Sequence, residues 1–412
     1  MAHHFVVLAR DSRGSARYVS MRPAVGCVVT LSVSTVTVVV ASSICKSDSR
    51  SGQRPGTILT AIHCHQRPNS LFASLPSRTH VIRNTYHCRI PLAPPFYSRG
   101  QPVHFRETVI LESENGQWAE AAPLVGFSRD NIAEVLSDVH NRRLASTNCR
   151  SLQFARDCLV QDEWPTVDLP INALLDGPTE SVMQRTRSLA KSDCRCVKLK
   201  VGRTAIQDDI ERVAIVRSML RDDQSIRLDA NRAWEWEAAV EFGSAVADMG
   251  VEYIEEPLVG SPDHASQLKR FVQATGCPYA LDESLVELTD VGSTDVTIDA
   301  AGEDTRDEAL LAYESAAALV IKPTLMGAHE EIRRLAAFGK PLVFSGCFES
   351  GIGTVQIARI AARYSPDIPA GLDTHSRIAD DLIAGPLIGS SWTLRLAGSP
   401  EICESKIQEL SQ

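Results

Sequence analysis

The feature that most constrains the fold is a regular alternation of short apolar segments and longer amphipathic segments that starts at Leu169. Helical periodicity marks residues 207–221 and 235–249, and strand-like segments separate such stretches. This alternation over residues 169–388 predicts an α/β fold, a TIM-like (β/α)7β barrel. The predicted strands are 171–175, 196–201, 226–229, 253–256, 279–282, 318–322, 341–345 and, with the weakest pattern, 369–373. A doubly wound sheet is the alternative, but it would need a glycine-rich turn after its first strand, and Gly351-Ile352-Gly353 lacks the third glycine.

A different pattern precedes the barrel. Residues 108–113 alternate like a strand, Gly116 allows a turn, and residues 118–122 can form the returning strand. Helical patterns follow over 131–143 and 150–160. We therefore expect an α+β capping domain over residues 86–168, and a C-terminal segment, 389–412, that returns to it.

The first 85 residues differ in composition from the rest. Before Glu107 the only acidic residues are Asp11 and Asp48, and residues 24–45 form an apolar run. Three interpretations stay open: a transit peptide, a signal anchor, or translation from upstream of the true start. We expect this leader to be poorly ordered or targeting sequence, which implies the plastid stroma if it is genuine and the cytoplasm if the protein is bacterial with a mis-assigned start.

The overall composition is that of an ordinary globular protein, with 44% hydrophobic residues and a formal net charge of −9. An acidic chain argues against nucleic acid as a partner, and no stable membrane partner is expected. Eleven cysteines without a CxxC pair indicate reduced thiols rather than a disulfide framework. The sequence does not predict an oligomeric state.

Acidic residues end three consecutive predicted strands: Asp229, Glu255 and Asp282. In a parallel barrel the carboxyl ends of the strands share one mouth, where active sites lie. Carboxylates that converge in a partly desolvated place repel each other unless a cation neutralises them. Oxygen ligands without nearby histidine or cysteine suit Mg²⁺, or another divalent cation such as Mn²⁺. The alternative is that each acid only caps the helix that follows.

Lysines flank these acids on both sides. Lys198 and Lys200 share a face of one predicted strand, and Lys322 ends a strand across the barrel. Burial and a nearby cation lower the pKa of a lysine, which makes its neutral amine available as a base. Two lysines facing a metal-bound small-molecule carboxylate predict removal of the proton next to the carboxylate, with Mg²⁺ holding the enediolate.

Seven short strings give this pattern a specific resemblance. Together with two upstream strings, 90–101 and 120–128, they occur in order from His87 to Trp392 and resemble the o-succinylbenzoate synthases of the enolase superfamily, in its muconate-lactonising-like branch. The upstream pair resembles the capping-domain loops that close over the substrate in that family. The seven strings are VKLKVG (197–202), RLDANRAW (227–234), IEEPL (254–258), LDESL (281–285), VIKPTLMG (320–327), SGCFESGIG (345–353) and GLDT (371–374).

The resemblance implies a role for each strand-end residue. It implies Mg²⁺ ligands at Asp229, Glu255 and Asp282, and catalytic lysines at Lys200, which would move the proton, and Lys322, which would stabilise the enediolate. It implies substrate-binding or supporting positions at Lys198, Arg227, Asn231, Ser345 and Gly371. The implied reaction is Mg²⁺-dependent syn-dehydration of 2-succinyl-6-hydroxy-2,4-cyclohexadiene-1-carboxylate to 2-succinylbenzoate, in menaquinone or phylloquinone biosynthesis.

Two departures keep other functions open. Ser345-Gly346-Cys347 stands where many members have a run of serines, and ESGIG (349–353) resembles the ending of relatives that racemise N-acylamino acids. The alternatives are an N-succinylamino acid racemase or dipeptide epimerase with the same metal and lysines, and a non-catalytic barrel that serves as a binding module.

Overall fold

The computed structural model describes residues 5–10, 16–21, 37–39, 82–98, 100–161, 164–290 and 305–412. The chain divides into two compact units, Met1–Ser77 and Arg78–Gln412. In the first unit, β1 (Phe5–Arg10) pairs antiparallel with β2 (Ala16–Met21) and with β3 (Thr37–Val39). Most of the predicted leader lies outside the described residues, so its nature and the predicted domain boundaries stay predictions.

The second unit begins with an antiparallel sheet followed by two helices. The sheet contains β4 (Ile82–Ser98), β5 (Gln101–Ser113) and β6 (Trp118–Ala121), and the helices are α1 (Ile132–His140) and α2 (Arg150–Leu159). Gly116 turns the chain between β5 and β6 with a φ of 73°, a conformation that glycine adopts without strain. Asn131 starts α1 through a reciprocal capping box with Glu134.

A parallel sheet of seven strands follows, in chain order, and each strand pairs with the next. It is preceded by β7 (Val167–Pro170), which pairs antiparallel with the late strand β15 (Thr393–Leu396). The predicted order of parallel strands is thereby confirmed. The seven strands are β8 (Ala173–Leu175), β9 (Cys196–Lys200), β10 (Ser225–Asp229), β11 (Val251–Glu255), β12 (Tyr279–Leu281), β13 (Ala318–Ile321) and β14 (Leu342–Phe344).

Helices separate these strands and cover the sheet. Among the described helices, none combines the length and hydropathy needed to cross a bilayer. They are α3 (Thr179–Leu189), α4 (Ile206–Met219), α5 (Trp236–Val246), α6 (His264–Thr275), α7 (Glu283–Asp290), α8 (Thr305–Leu311), α9 (Pro323–Met326), α10 (His329–Ala337) and α11 (Gly351–Tyr364), with α12 (Glu404–Leu410) near the end of the chain.

The predicted eighth strand, 369–373, does not form a regular strand. Instead, Ala370 makes a parallel bridge to Ile171 beside β8, and Gly371 makes one to Ser345 beside β14. Pro369 has no backbone N–H to donate to a ladder, and Leu372 has left the extended conformation as the N-cap of a 3₁₀ turn that begins at Asp373, so only two residues remain for pairing. These two residues link the two edges of the sheet, which is therefore curled.

The end of the chain lies against the first sheet of this unit. Gln412 donates its backbone N–H to the carbonyl of His87 at 2.8 Å, and Ser411 bridges Cys88. The last strand, β15, pairs with β7 next to the parallel sheet. The C-terminal segment therefore contacts both parts of the unit.

Close packing of α5 against α6 depends on a glycine. A Cβ atom at Gly243 would lie 2.6 Å from Cζ of Phe271 and 3.1 Å from Cγ2 of Thr275. Phe271 is fully buried, so its ring has little room to move.

We expect Gly243→Ala to destabilise the protein. Overpacking costs about 1–3 kcal/mol, and the better helix propensity of alanine returns only about 0.5–1 kcal/mol. Urea unfolding measures the difference. Gly398→Ala is the matched control because a Cβ there meets nothing within 4 Å, and equal stability of the two variants would contradict the packing argument.

Candidate active site

The predicted catalytic residues lie together at the carboxyl edge of the parallel sheet. Lys200, Asp229 and Glu255 end β9, β10 and β11 and are direct neighbours in the strand register. Asp282 follows β12, and Lys322 follows β13. Because the strands are parallel and in sequence, one edge collects all five side chains.

The lysines and the acids form ion pairs. The Nζ atom of Lys198 lies 2.7 Å from Oδ2 of Asp229 and 2.7 Å from Oε1 of Glu255. Lys200 Nζ lies 2.6 Å from the same Asp229 oxygen, and Lys322 Nζ donates to Oδ2 of Asp282. Three cations thus share three carboxylates, which offsets much of the cost of burying them.

The carboxylates, rather than burial alone, set the pKa values of two lysines in this structure. Burial alone lowers the pKa of Lys198, but the negative charges of Asp229 and Glu255 outweigh it and hold that pKa above its ordinary value. The same balance holds for Lys322, whose pKa is raised by the charges of Asp282 and Glu283 despite burial. The lowered lysine pKa values expected from burial and a nearby cation together stay a prediction.

The neighbouring acids are shifted in opposite directions. Burial raises the pKa of Asp229, but the positive charges of Lys198, Lys200 and Lys322 overcome it and the net pKa is lowered. Burial and the charge of Asp229 raise the pKa of Glu255 well above its ordinary value. Two acids one strand apart therefore compete for the same cations.

The acids supply the oxygen ligands that a divalent cation prefers, although their side chains are not arranged around a common metal position. Across the described residues, no group of three histidine, cysteine, aspartate or glutamate side chains is placed to hold a metal ion. Oδ1 of Asp282 and Oε2 of Glu283 are buried and have no hydrogen-bond partner in the part of the chain that the structure describes. Such orphaned oxygens are costly. A hard cation would satisfy them, so the donor set fits Mg²⁺.

The other predicted site residues lie at different depths. Asn231 accepts from Lys200 Nζ at 2.7 Å and donates to Oε1 of Glu283 at 3.0 Å, so it orients the lysine. Arg227 is buried and does not line the cavity: it donates to Glu252 at 2.5 Å and to the carbonyl of Pro369 at 2.7 Å.

Ser345 and Gly371 lie side by side on the wall of the cavity, where their backbones bridge. A Cβ atom at Gly371 would come within 2.8 Å of Oγ of Ser345. The absence of a side chain at residue 371 therefore keeps this part of the wall open.

The cavity over these residues is lined by groups that the sequence argument missed. Asp176 directly follows β8, so applying the strand-end rule to the first strand would have found it. Arg203 lies three residues after Lys200, and no sequence signal pointed to Arg377. Four further lining residues, Phe96, Tyr97, Leu124 and Phe127, lie in the segments 90–101 and 120–128 that the resemblance identified as capping loops. The lining residues that were not predicted are Asn172, Leu174, Asp176, Arg203, Gly346, Cys347, Phe348, Asp373, Thr374 and Arg377.

A second glutamate, Glu256, binds the backbone next to the site acids. Glu256 accepts from the backbone N–H groups of Asp282 at 2.8 Å and of Ser284 at 2.9 Å, and from Arg232 at 3.2 Å. Burial, with the charge of Glu283, raises the pKa of Glu256 to about 7. These bonds fix the start of α7 and therefore the position of Asp282.

Comparison with known proteins agrees with this arrangement. Residues 181–294 match the family described as "Enolase C-terminal domain-like". The o-succinylbenzoate synthase of Shigella flexneri is 30% identical over 314 residues, which cover 70% of this chain and 89% of that protein. The o-succinylbenzoate synthase of Aliivibrio salmonicida is 28% identical over 315 residues, with the same coverage of 70% and 89%.

Solved structures show the same fold at lower identity. A muconate lactonizing enzyme from Pseudomonas fluorescens superposes with a TM-score of 0.64 at 17% identity, over 81% of this chain and all of that one (100%). The L-Ala-D/L-Glu epimerase of Bacillus subtilis gives a TM-score of 0.63 at 21% identity, over 77% and 96% of the two chains. An N-succinyl Arg/Lys racemase from Bacillus cereus gives 0.61 at 18% identity, over 79% and 96%.

The structural likenesses show an α/β fold with a curled parallel sheet, and the match of residues 181–294 adds the enolase C-terminal domain-like family. The curated relatives go further, since 30% identity extends over most of their length. The chain therefore belongs to the o-succinylbenzoate synthase family of the enolase superfamily.

Proposed function

We propose that this chain is an o-succinylbenzoate synthase that converts 2-succinyl-6-hydroxy-2,4-cyclohexadiene-1-carboxylate to 2-succinylbenzoate and water. The observation that carries the proposal is the placement of Lys200 and Lys322 on one cavity, each paired with a buried acid of the strand ends. The names of the curated relatives support this choice of reaction.

The proposed chemistry assigns a proton to Lys200. Its neutral amine would take the proton from the ring carbon that bears the carboxylate, and the resulting ammonium would return it to the leaving hydroxyl on the adjacent carbon. The C–O bond then breaks, water leaves and the ring becomes aromatic. Asn231 and Asp229 hold Nζ of Lys200 through bonds of 2.7 and 2.6 Å, which fixes the direction of both transfers.

Lys322 would act on the other side of the same substrate. It lines the same cavity as Lys200, and its Nζ donates to Oδ2 of Asp282. An ammonium group held in this place is suited to stabilise negative charge on the substrate. The two lysines therefore have different proposed roles.

Asp229, Glu255 and Asp282 are the proposed ligands of Mg²⁺ or Mn²⁺. Such a cation would draw electron density from the substrate carboxylate and so acidify the adjacent carbon. The ligand oxygens already engage Lys198, Lys200 and Lys322. The charge available to these lysines therefore depends on what else the acids bind.

We further propose that the curled sheet is a closed (β/α)7β barrel and that the β4–β6 sheet with α1 and α2 is a capping domain. Phe96 and Tyr97 of β4 line the cavity together with Leu124 and Phe127 of the following loop, which supports a cover over the mouth. A role in menaquinone or phylloquinone synthesis follows from the proposed product. Localisation in the cytoplasm, or in a plastid stroma if the leader is genuine, stays a prediction.

Racemisation of N-succinylamino acids, or epimerisation of dipeptides, is the second candidate, because enzymes with those names share the fold. Asp373 is an acid that lines the cavity, two residues after the bridge at Gly371. Its Oδ2 already accepts from the backbone N–H of Leu174 at 2.6 Å and from Arg185 at 2.7 Å. It is therefore poorly placed to bind a free amino group, which favours the synthase over a dipeptide epimerase.

Substrate choice is tested by assaying the purified protein against the cyclohexadiene acid and against N-succinyl amino acids side by side. We expect dehydration to exceed racemisation in kcat/KM, with dipeptides inert. A larger kcat/KM for racemisation would replace the proposed function by the second candidate.

Removing the proposed base should abolish turnover. Because general-base catalysis contributes on the order of 10²–10⁴-fold, we expect Lys200→Ala to lose at least that factor in kcat while the circular dichroism spectrum is unchanged. Lys191→Ala, at an exposed lysine, is the matched control. Substantial residual turnover in Lys200→Ala would remove this residue from the mechanism.

Chelation should stop the reaction and Mg²⁺ should restore it. Direct binding is measured with Mn²⁺ by electron paramagnetic resonance, where we expect Asp282→Asn to weaken affinity by about tenfold or more, typical of a lost charged ligand. Asp222→Asn, at an exposed acid, should bind Mn²⁺ like the native chain. Metal-independent turnover, or undiminished Mn²⁺ affinity in Asp282→Asn, would refute the three-acid site.

A further inference from the structure

Two arginines share one aspartate on the wall of the active-site cavity. Arg203 Nη1 lies 2.6 Å from Oδ1 of Asp176, and Arg377 Nη2 lies 2.7 Å from Oδ2 of the same residue. All three residues line the cavity that contains Lys200 and Lys322. One carboxylate thus faces two guanidinium groups, which leaves a local excess of one positive charge.

The two guanidinium groups differ in how firmly they are held. The Arg203 side chain is 57% exposed, and within the described part of the chain its hydrogen bond to Asp176 is the only one that it makes. Arg377 is only 15% exposed, lies 5.8 Å from the ring centroid of Phe348 and also donates weakly to the carbonyl of Pro95 at 3.5 Å. Arg203 can therefore move to a ligand, whereas Arg377 is fixed.

The charge of Asp176 is itself secured by these partners. Burial raises its pKa, but the charges of Arg203 and Arg377 outweigh that effect and the net pKa is lowered. The aspartate stays ionised and holds the arginines at the cavity wall. Because a guanidinium has five N–H donors, each arginine keeps donors for a second carboxylate.

We propose that Arg203 and Arg377, positioned by Asp176, form a subsite that binds the second carboxylate of a dicarboxylic substrate. The inference rests on the proposed function for the identity of that substrate, whose succinyl chain ends in a carboxylate. The ring carboxylate would lie at the acids and lysines of the strand ends, and the succinyl carboxylate at the arginine pair.

The wall of the cavity fits a ligand that is charged at both ends and apolar between them. Leu174 and Phe348 line the cavity along with Phe96 of β4, which stacks on Phe348 at 4.7 Å between ring centroids. Aromatic and aliphatic side chains of this kind suit a six-membered ring. N-succinyl amino acids also carry two carboxylates, so the subsite would accept the substrates of both candidate functions.

The test compares two ligands in calorimetric titrations of the full chain with Mg²⁺ present. One ligand is 2-succinylbenzoate, and the other is its analogue with the succinyl carboxylate replaced by a carboxamide. We expect the native chain to bind the dicarboxylate at least about tenfold more tightly, as one charge-assisted contact can supply. In Arg203→Met this preference should fall to about threefold or less, while Arg203→Lys should retain part of it.

Two further variants separate a binding role from a structural one. Arg395→Met removes an exposed arginine that pairs with a single aspartate, Asp168, at 3.1 Å, and should leave the preference unchanged. Asp176→Asn should weaken the preference, because both guanidinium groups lose the partner that holds them at the cavity wall. An unchanged preference in Arg203→Met, an equal loss of affinity for both ligands, or an unchanged preference in Asp176→Asn would overturn the subsite.

Because this measurement needs no turnover, it is independent of the proposed reaction. A chain that prefers the dicarboxylate but does not dehydrate the cyclohexadiene acid would retain the subsite and lose the proposed function. A chain that dehydrates this acid but shows the same preference in Arg203→Met would retain the function and lose the subsite.

Discussion

The site depends on the mutual neutralisation of buried lysines and carboxylates at one edge of the parallel sheet. Lys198 joins Asp229 to Glu255 across two strands, with both contacts at 2.7 Å. Burying any one of these charges without its partners would cost several kcal/mol, on the order of 3–5. The strand register that makes these residues neighbours is therefore tied to their charge balance. A ligand that competes for the carboxylates changes the state of the lysines at the same time.

Charge is divided between two regions of the cavity. At the strand ends, lysines and acids offset one another, whereas Arg203 and Arg377 share only Asp176 on the wall. The aromatic pair Phe96 and Phe348 contributes an apolar surface to the same cavity. A substrate with two anionic ends can match this division, and a neutral or cationic one cannot.

The parallel strands and their polar ends could be predicted from the sequence because both depend on local pattern. Apolar strands separated by amphipathic helices require a parallel order, and that order brings Asp229, Glu255 and Asp282 to one edge. The charge balance at Lys198 could not be predicted, since it depends on distances of 2.7 Å between side chains on different strands. The arginine pair was missed because the long side chains reach the cavity from a loop at Arg203 and a short 3₁₀ turn at Arg377, where no periodicity marks them.

The eighth strand was misjudged for a related reason. Its pattern suggested five residues of strand, but the proline at 369 and the 3₁₀ turn that Leu372 caps leave only Ala370 and Gly371 for pairing. Two residues suffice to link the edges of a curled sheet, because Ala370 pairs with Ile171 at one edge and Gly371 pairs with Ser345 at the other. The curvature that brings the two edges of the sheet to this segment is not encoded by the segment itself.

The paired glutamates at the end of β11 show why residue type alone does not identify a catalytic group. Glu255 and Glu256 are both almost fully buried, with 1% and 0% exposure. Successive side chains of a strand point to opposite faces, so only one of the two can face the lysines. Glu255 contacts Lys198, whereas Glu256, with a φ of 44°, turns back to bind the N–H groups at the start of α7. Such a backbone conformation costs about 1–3 kcal/mol, and the hydrogen bonds to Glu256 offset it. The strained turn thus holds Asp282 in place while its neighbour Glu255 remains available to the site.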